Sequence, residues 1–175
     1  PDALSDSAKN IYFINEGGYG IKGAEGAATI AGLFSAKQYT HICCAVGTGT
    51  MMAGLIKSST LSQEVIGISV LKNNHEQQAE TINLLTNDEK LKKFFINHEY
   101  HFGGYAKYTQ DLIDFMNDFF KTTGIPSDFV YTGKLFYAVN DLIRTNFFPS
   151  GSCILMIHSG GLQGNQSLKP GMLIF

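Results

Sequence analysis

Apolar positions along the chain fall into two alternating kinds of run. Short, almost wholly apolar stretches occur at residues 11–14 (IYFI), 41–46 (HICCAV), 64–71 (EVIGISVL) and 152–157 (SCILMI). These are strand-length and too uniformly apolar for a sheet with one wet face, so they predict strands buried on both sides. Between them lie longer runs with helical spacing, at 23–38, 51–57, 73–85, 108–121 and 133–145. In the run 108–121, Leu112, Ile113, Phe115, Met116, Phe119 and Phe120 share one broad face. The run 23–38 is rich in Gly and Ala, which predicts a helix packed closely on a neighbour. Residues 94–100 have a mixed pattern read as a further strand, and 127–131 read as a short extended segment. Buried strands alternating with helices predict an α/β fold, a three-layer, open, mostly parallel sheet with helices on both faces. No repeat or low-complexity linker divides the chain, so residues 1–175 read as a single α/β domain.

Charge acts mainly by exclusion. Thirteen Lys and Arg against fifteen Asp and Glu give a formal net charge of −2. No basic field is available for a phosphate backbone, so no nucleic-acid partner is expected. Charged residues make up only 16% of the chain, below the roughly 25% usual in soluble domains. Part of the surface is therefore expected to lie against a partner or another domain. No apolar span approaches the about 20 residues that a membrane helix needs, and the first residues lack a basic-then-apolar signal pattern. A cytoplasmic protein with no membrane partner is expected. Cys43, Cys44 and Cys153 lie in apolar runs without metal-ligand spacing. Adjacent strand residues point to opposite faces, so Cys43 and Cys44 are not expected to pair, and all three are read as small buried hydrophobes in a reducing compartment. No metal site is expected.

In open α/β sheets, ligands sit beyond the carboxyl ends of the strands, which points to the Gly-rich loops after Val46 and Ile157. Val46-Gly47-Thr48-Gly49-Thr50 links a buried strand to a helix start. Two glycines let backbone N–H groups converge, the helix adds the positive end of its dipole, and Thr48 and Thr50 add hydroxyls. Such a turn is an anion cradle of phosphate size or a plain tight connection. It is neither a Walker loop nor a complete GxGxxG. Glu16-Gly17-Gly18-Tyr19-Gly20 is either a turn before a helix or a place where backbone approaches a ligand. Tyr131 and Tyr105 are either packed rings or active-site phenols; Tyr131 could act as acid or base if a nearby cation lowered its pKa. Lys134 reads as pointing away or steadying Tyr131. His158 reads as a hydrogen-bonded structural residue, and Ser159 lacks the GxSxG surroundings of a hydrolase nucleophile.

Six segments taken in order resemble one family: INEGGYGIKGAEGA (14–27), HICCAVGTGTMMAGL (41–55), VIGISV (65–70), FGGYAK (102–107), DFVYTGKLFYAVNDLI (128–143) and ILMIHSGGLQG (154–164). The family is that of pyridoxal 5'-phosphate enzymes with a tryptophan synthase β-like fold, in the branch holding 1-aminocyclopropane-1-carboxylate deaminase and D-cysteine desulfhydrase. The resemblance implies that Val46, Gly47, Thr48, Gly49 and Thr50 hold the cofactor phosphate. It implies that Tyr131 and Tyr105 are catalytic, that Thr132 faces the pyridine nitrogen, and that Ser159 and Gly160 line the cofactor pocket. Glutamate at the position of Thr132 marks the deaminases and threonine the desulfhydrases, which tilts the reading toward elimination. Where the family has Ser-Asn-Ala after Glu-Gly-Gly, this chain has Tyr19-Gly20-Ile21. The family's enzymes are roughly twice as long, with the cofactor lysine and the substrate-carboxylate residues in the preceding half. The expectation is therefore the cofactor-supporting part of a two-domain, homodimeric enzyme that takes a small amino acid to a 2-oxo acid and ammonia. The alternatives are a non-covalent nucleotide- or phosphate-binding module and an inactive homologue.

Overall fold

The computed structural model describes residues 13–35 and 38–175. Its four strands are β1 (His41–Val46), β2 (Glu64–Ser69), β3 (Lys93–Asn97) and β4 (Ile154–Met156). They form one parallel sheet in the order β3-β2-β1-β4. The helices are α1 (Ile21–Ala28), α2 (Thr50–Ser58), α3 (Gln77–Asn83), α4 (Gln110–Thr123) and α5 (Thr132–Arg144).

The two-residue period of β1 divides the core into layers. Ile42, Cys44 and Val46 face a cluster that includes Met52, Leu55 and Ile56 of α2, while Cys43 and Ala45 face Leu135, Ala138 and Val139 of α5. Helices thus cover both faces, as the uniformly apolar strands predict. A third cluster joins Leu112, Ile113 and Met116 of α4 to Phe129 and Val130. The Gly- and Ala-rich helix packs where its composition predicts. A side chain on Gly54 of α2 would meet the Ala27 methyl at 2.5 Å and the Ala24 carbonyl at 2.6 Å, so only glycine allows α1 this close.

Several expectations are corrected. The helix read at 23–38 is α1 followed by a 3-10 turn over Thr29–Leu33, with residues 36 and 37 outside the described set. Of the strand read at 11–14, only Phe13 and Ile14 are described, and both are exposed and irregular. The extended segment at 127–131 is a turn, because Asp128 draws the following N–H groups onto its carboxylate. Cys153, beside the edge strand β4, is exposed, whereas Cys43 and Cys44 are buried and unpaired. Burial, with a smaller contribution from Glu64, pushes the Cys43 thiol up to about 12, so it is inert at neutral pH.

Candidate functional site

The chain runs outward from β1 to β2 and β3 on one flank and then returns to add β4 on the other. That reversal opens a crevice at the carboxyl ends of β1 and β4. A cavity of about 890 Å³ lies there, lined by Val46–Thr50 after β1, by Ser159, Gly160 and Gly161 after β4, and by Tyr105 and Tyr131. Glu16, Gly17 and Tyr19 add a wall from the segment before α1, and Asn74 and Glu80 add one from around α3.

The first loop has the build of an anion cradle. Gly49 has φ +82°, and a side chain there would fall on the Thr81 hydroxyl. It caps α2, nine residues long, without any side-chain hydrogen bond to the helix start. Helical geometry leaves the first N–H groups without intrahelical partners, at the positive end of the dipole. The Thr48 and Thr50 hydroxyls lie 2.9 Å apart on the same turn. Gly17 packs so tightly on this loop that a side chain there would reach the Thr48 methyl at 2.7 Å.

The tyrosine wall begins at Asp128. Its carboxylate, almost fully buried, accepts from the N–H groups of Val130 at 3.0 Å, Tyr131 at 2.7 Å and Thr132 at 2.9 Å, and from the Thr132 hydroxyl at 2.6 Å. The Asp128 N–H in turn donates to Thr132 Oγ1 at 2.9 Å. This knot starts α5 and fixes Tyr131, whose ring atom Cε1 would lie 3.4 Å from a side chain on Gly47. Tyr105 meets Tyr131 edge-on, with ring centroids 6.0 Å apart. Burial, the hydrogen bond with Tyr105 and the charges of Asp128 and Glu16 push the Tyr131 phenol up to about 12. Tyr131 is therefore protonated at neutral pH, opposite to the lowered pKa that would suit a base.

The turn carrying Tyr105 is held from below. Lys134 is fully buried, and its Nζ donates to the carbonyls of His101 at 2.9 Å and Gly104 at 2.7 Å. Phe102, Gly103 and Gly104 all have positive φ, a conformation that needs such outside support for a non-glycine residue. Burial pulls the Lys134 ammonium down to about 8, partly offset by Asp128. His158 takes the structural role read for it: Nε2 lies 2.8 Å from the Pro126 carbonyl, and Nδ1 accepts from the Gly160 N–H at 3.1 Å. Tyr19 reaches the Glu80 carbonyl with its hydroxyl at 3.1 Å and packs on the core, so the departure at this position ties the segment before α1 to α3.

Of the residues read as site candidates, Val46, Gly47, Thr48, Gly49, Thr50, Tyr105, Tyr131, Ser159 and Gly160 come together on one cavity. Thr132 does not. Its side chain is fully buried and its hydroxyl is committed to Asp128, so the expected facing of Thr132 to a pyridine nitrogen is corrected. Asp128 went unread, although an acid just before a helix start is a recognisable capping signal. Glu80 and Asn74 carried no signal. Among the described residues, no group of three or more metal-ligating side chains is present, and no helix is long and apolar enough to cross a membrane.

The cavity fits pyridoxal phosphate, the cofactor the resemblance implies. Its volume lies in the range of small-molecule sites. The two-glycine loop, the helix start without a side-chain cap and the two threonine hydroxyls supply donors for a phosphate. No lysine or arginine lines the cavity among the described residues, which leaves the anion to backbone and hydroxyl donors.

No family profile matches the chain. Among curated proteins, it is 29% identical over 174 residues to a Pyrococcus horikoshii protein provisionally named 1-aminocyclopropane-1-carboxylate deaminase, covering 93% of this chain and 53% of that protein. It is 27% identical over 135 residues to the 1-aminocyclopropane-1-carboxylate deaminase of Methylobacterium nodulans, covering 71% of this chain and 40% of the relative. A crystal structure described as that of an ACC deaminase homologue superposes with a TM-score of 0.71 at 27% identity, over 88% of this chain and 50% of the other. The chain therefore spans about half the length of the Pyrococcus relative and of the matched structure. With matches along nearly its whole length and a shared fold, the chain is similar to proteins named 1-aminocyclopropane-1-carboxylate deaminase, in line with the resemblance of the six segments.

Proposed function

We propose that this chain is the cofactor-supporting part of a pyridoxal-phosphate-dependent enzyme that converts a small amino acid to a 2-oxo acid and ammonia. One observation carries the reading: a two-glycine cradle and a pair of tyrosines share one crevice at the switch point of the sheet. When bound, the cofactor supplies an electron sink for charge left on the substrate. Val46–Thr50 hold its phosphate. Tyr131, protonated at neutral pH, and Tyr105 beside it orient the substrate and hold a proton at the phenol oxygen. The cofactor lysine comes from the remainder of a larger enzyme, a reading supported by the relatives' twofold length.

The names of the relatives support 1-aminocyclopropane-1-carboxylate as substrate. D-cysteine is the second reading, from the resemblance of the six segments; Thr132, turned onto Asp128, does not bear on the choice. The intact protein is assayed with both for 2-oxo acid and ammonia, and for sulfide from D-cysteine. Release of ammonia from either is expected, and Tyr131→Phe lowers turnover about 100-fold while leaving cofactor content near wild type. Loss of cofactor in proportion to activity contradicts a catalytic Tyr131. No turnover of either substrate by cofactor-loaded protein favours the inactive homologue.

A further inference from the structure

The inner side of the anion loop is held by a buried carboxamide that does not touch the cavity. Gln77 of α3 is fully buried, and its carboxamide Nε2 donates to the Val46 carbonyl at 2.9 Å and the Gly47 carbonyl at 2.6 Å. Its Oε1 is buried with no hydrogen-bond partner. A buried acceptor left unpaired costs about 1–3 kcal/mol, so its presence asks for a compensating purpose. Reversing the amide would set its oxygen against two carbonyl oxygens, so the orientation is fixed by what it touches. One helical turn on, Thr81 is also fully buried and donates to the Gln77 carbonyl at 2.9 Å. Its hydroxyl occupies the place a Gly49 side chain would take. Two residues of α3 thus press on the loop at Val46, Gly47 and Gly49.

A trans peptide is planar, so the N–H of each residue points opposite to the preceding carbonyl. No peptide bond here is cis. The Val46 carbonyl also accepts from the Val70 N–H at 3.1 Å, so the sheet sets that peptide plane. With the Gly47 carbonyl drawn to Gln77, the Thr48 N–H points away from α3, and Thr48 lines the cavity. We propose that Gln77 is a positioning residue of the cradle, turning the Gly47–Thr48 peptide plane so that its N–H faces the phosphate of a bound cofactor. This rests on the cradle reading given above. The unpartnered Oε1 follows from it: the amino end serves two carbonyls, and the oxygen is left facing the packed interior.

Gln77→Met separates this role from a merely structural one. Methionine matches the length and removes both donors, and removing the unpaired oxygen as well offsets part of the cost of the two lost hydrogen bonds. The intact protein, freed of cofactor, is titrated with pyridoxal 5'-phosphate and with pyridoxal, which lacks the phosphate, and melting is followed in parallel. The wild type is expected to prefer the phosphorylated ligand. Gln77→Met loses about tenfold in affinity for it, keeps its affinity for pyridoxal and melts within about 5 °C of wild type.

A Gln77→Met protein with the wild-type preference overturns the inference and leaves the cofactor reading standing. Equal loss of both ligands with a large fall in melting makes Gln77 a residue of the fold and also overturns it. A wild type with no preference between the two ligands overturns the cradle itself. Gln77→Glu gives a check that does not depend on the Met variant folding. Its protonated carboxyl keeps one donor, so phosphate preference survives at low pH and is lost as the carboxyl ionises. A preference that tracks wild type at every pH overturns the inference.

Discussion

Lys134 shows how one residue's environment differs from what its neighbours in sequence suggest. It stands three positions after Tyr131 on α5, yet its ammonium lies under the turn that bears Tyr105, between two carbonyl oxygens. Its folded-state pKa of about 8 is below the ordinary 10.5. Below pH 8 both folded and unfolded chains carry the proton, and the native state bears the full cost of a buried charge. Between pH 8 and 10.5 the native state releases the proton while the unfolded chain keeps it, so stability rises with pH through that window, by at most about 1.4 kcal/mol per pH unit. Urea unfolding of the intact protein at a series of pH values, wild type against Lys134→Met, checks this. The wild type is expected to gain on the variant above pH 8; parallel curves contradict a buried ammonium.

At the scale of elements, α5 and its preceding turn carry the tyrosine wall, and Asp128 is what joins them. Removing a buried carboxylate that accepts four hydrogen bonds leaves donors unpaired, so Asp128→Ala is expected to cost about 3 kcal/mol in chemical denaturation. A cost below about 0.5 kcal/mol, the range of surface substitutions, would contradict the knot. This element also marks where reading the chain stopped short. Phe129 and Val130 are buried, so the segment has the apolar look of a strand, but three N–H groups turn onto one carboxylate and no partner strand is present there. By contrast β1 was legible to the residue, because a short, uniformly apolar run closed by a Gly-rich turn has the length and burial of a strand covered on both faces. The cradle was legible for a related reason, since glycine spacing at a strand-to-helix junction constrains backbone, and backbone does the binding. Thr132 was misread because alignment to a family motif fixes position along the chain but not which way a side chain turns. Lys134 and Gln77 act across sequence separations of 30 or more residues, which no local pattern reveals.

At the scale of the whole molecule, the described unit is an α/β layer structure whose crevice has one finished wall and one open side. Tyr105 is 57% exposed there, and apolar side chains such as Phe13, Ile14 and Leu33 are also exposed, as expected of surface that meets another part of the same enzyme. The matched Pyrococcus horikoshii relative is about twice as long, and in our reading the remainder closes the crevice, supplies the cofactor lysine and holds the substrate carboxylate. The central claim is that this crevice holds pyridoxal phosphate. It is tested most directly by the absorbance spectrum of the intact protein with the cofactor added, before and after borohydride. A visible band that borohydride abolishes is expected, with the cofactor then recovered on a lysine peptide from outside residues 1–175. A spectrum that is the sum of free protein and free cofactor, unchanged in kind by borohydride, would contradict it and leave the crevice as a non-covalent phosphate site.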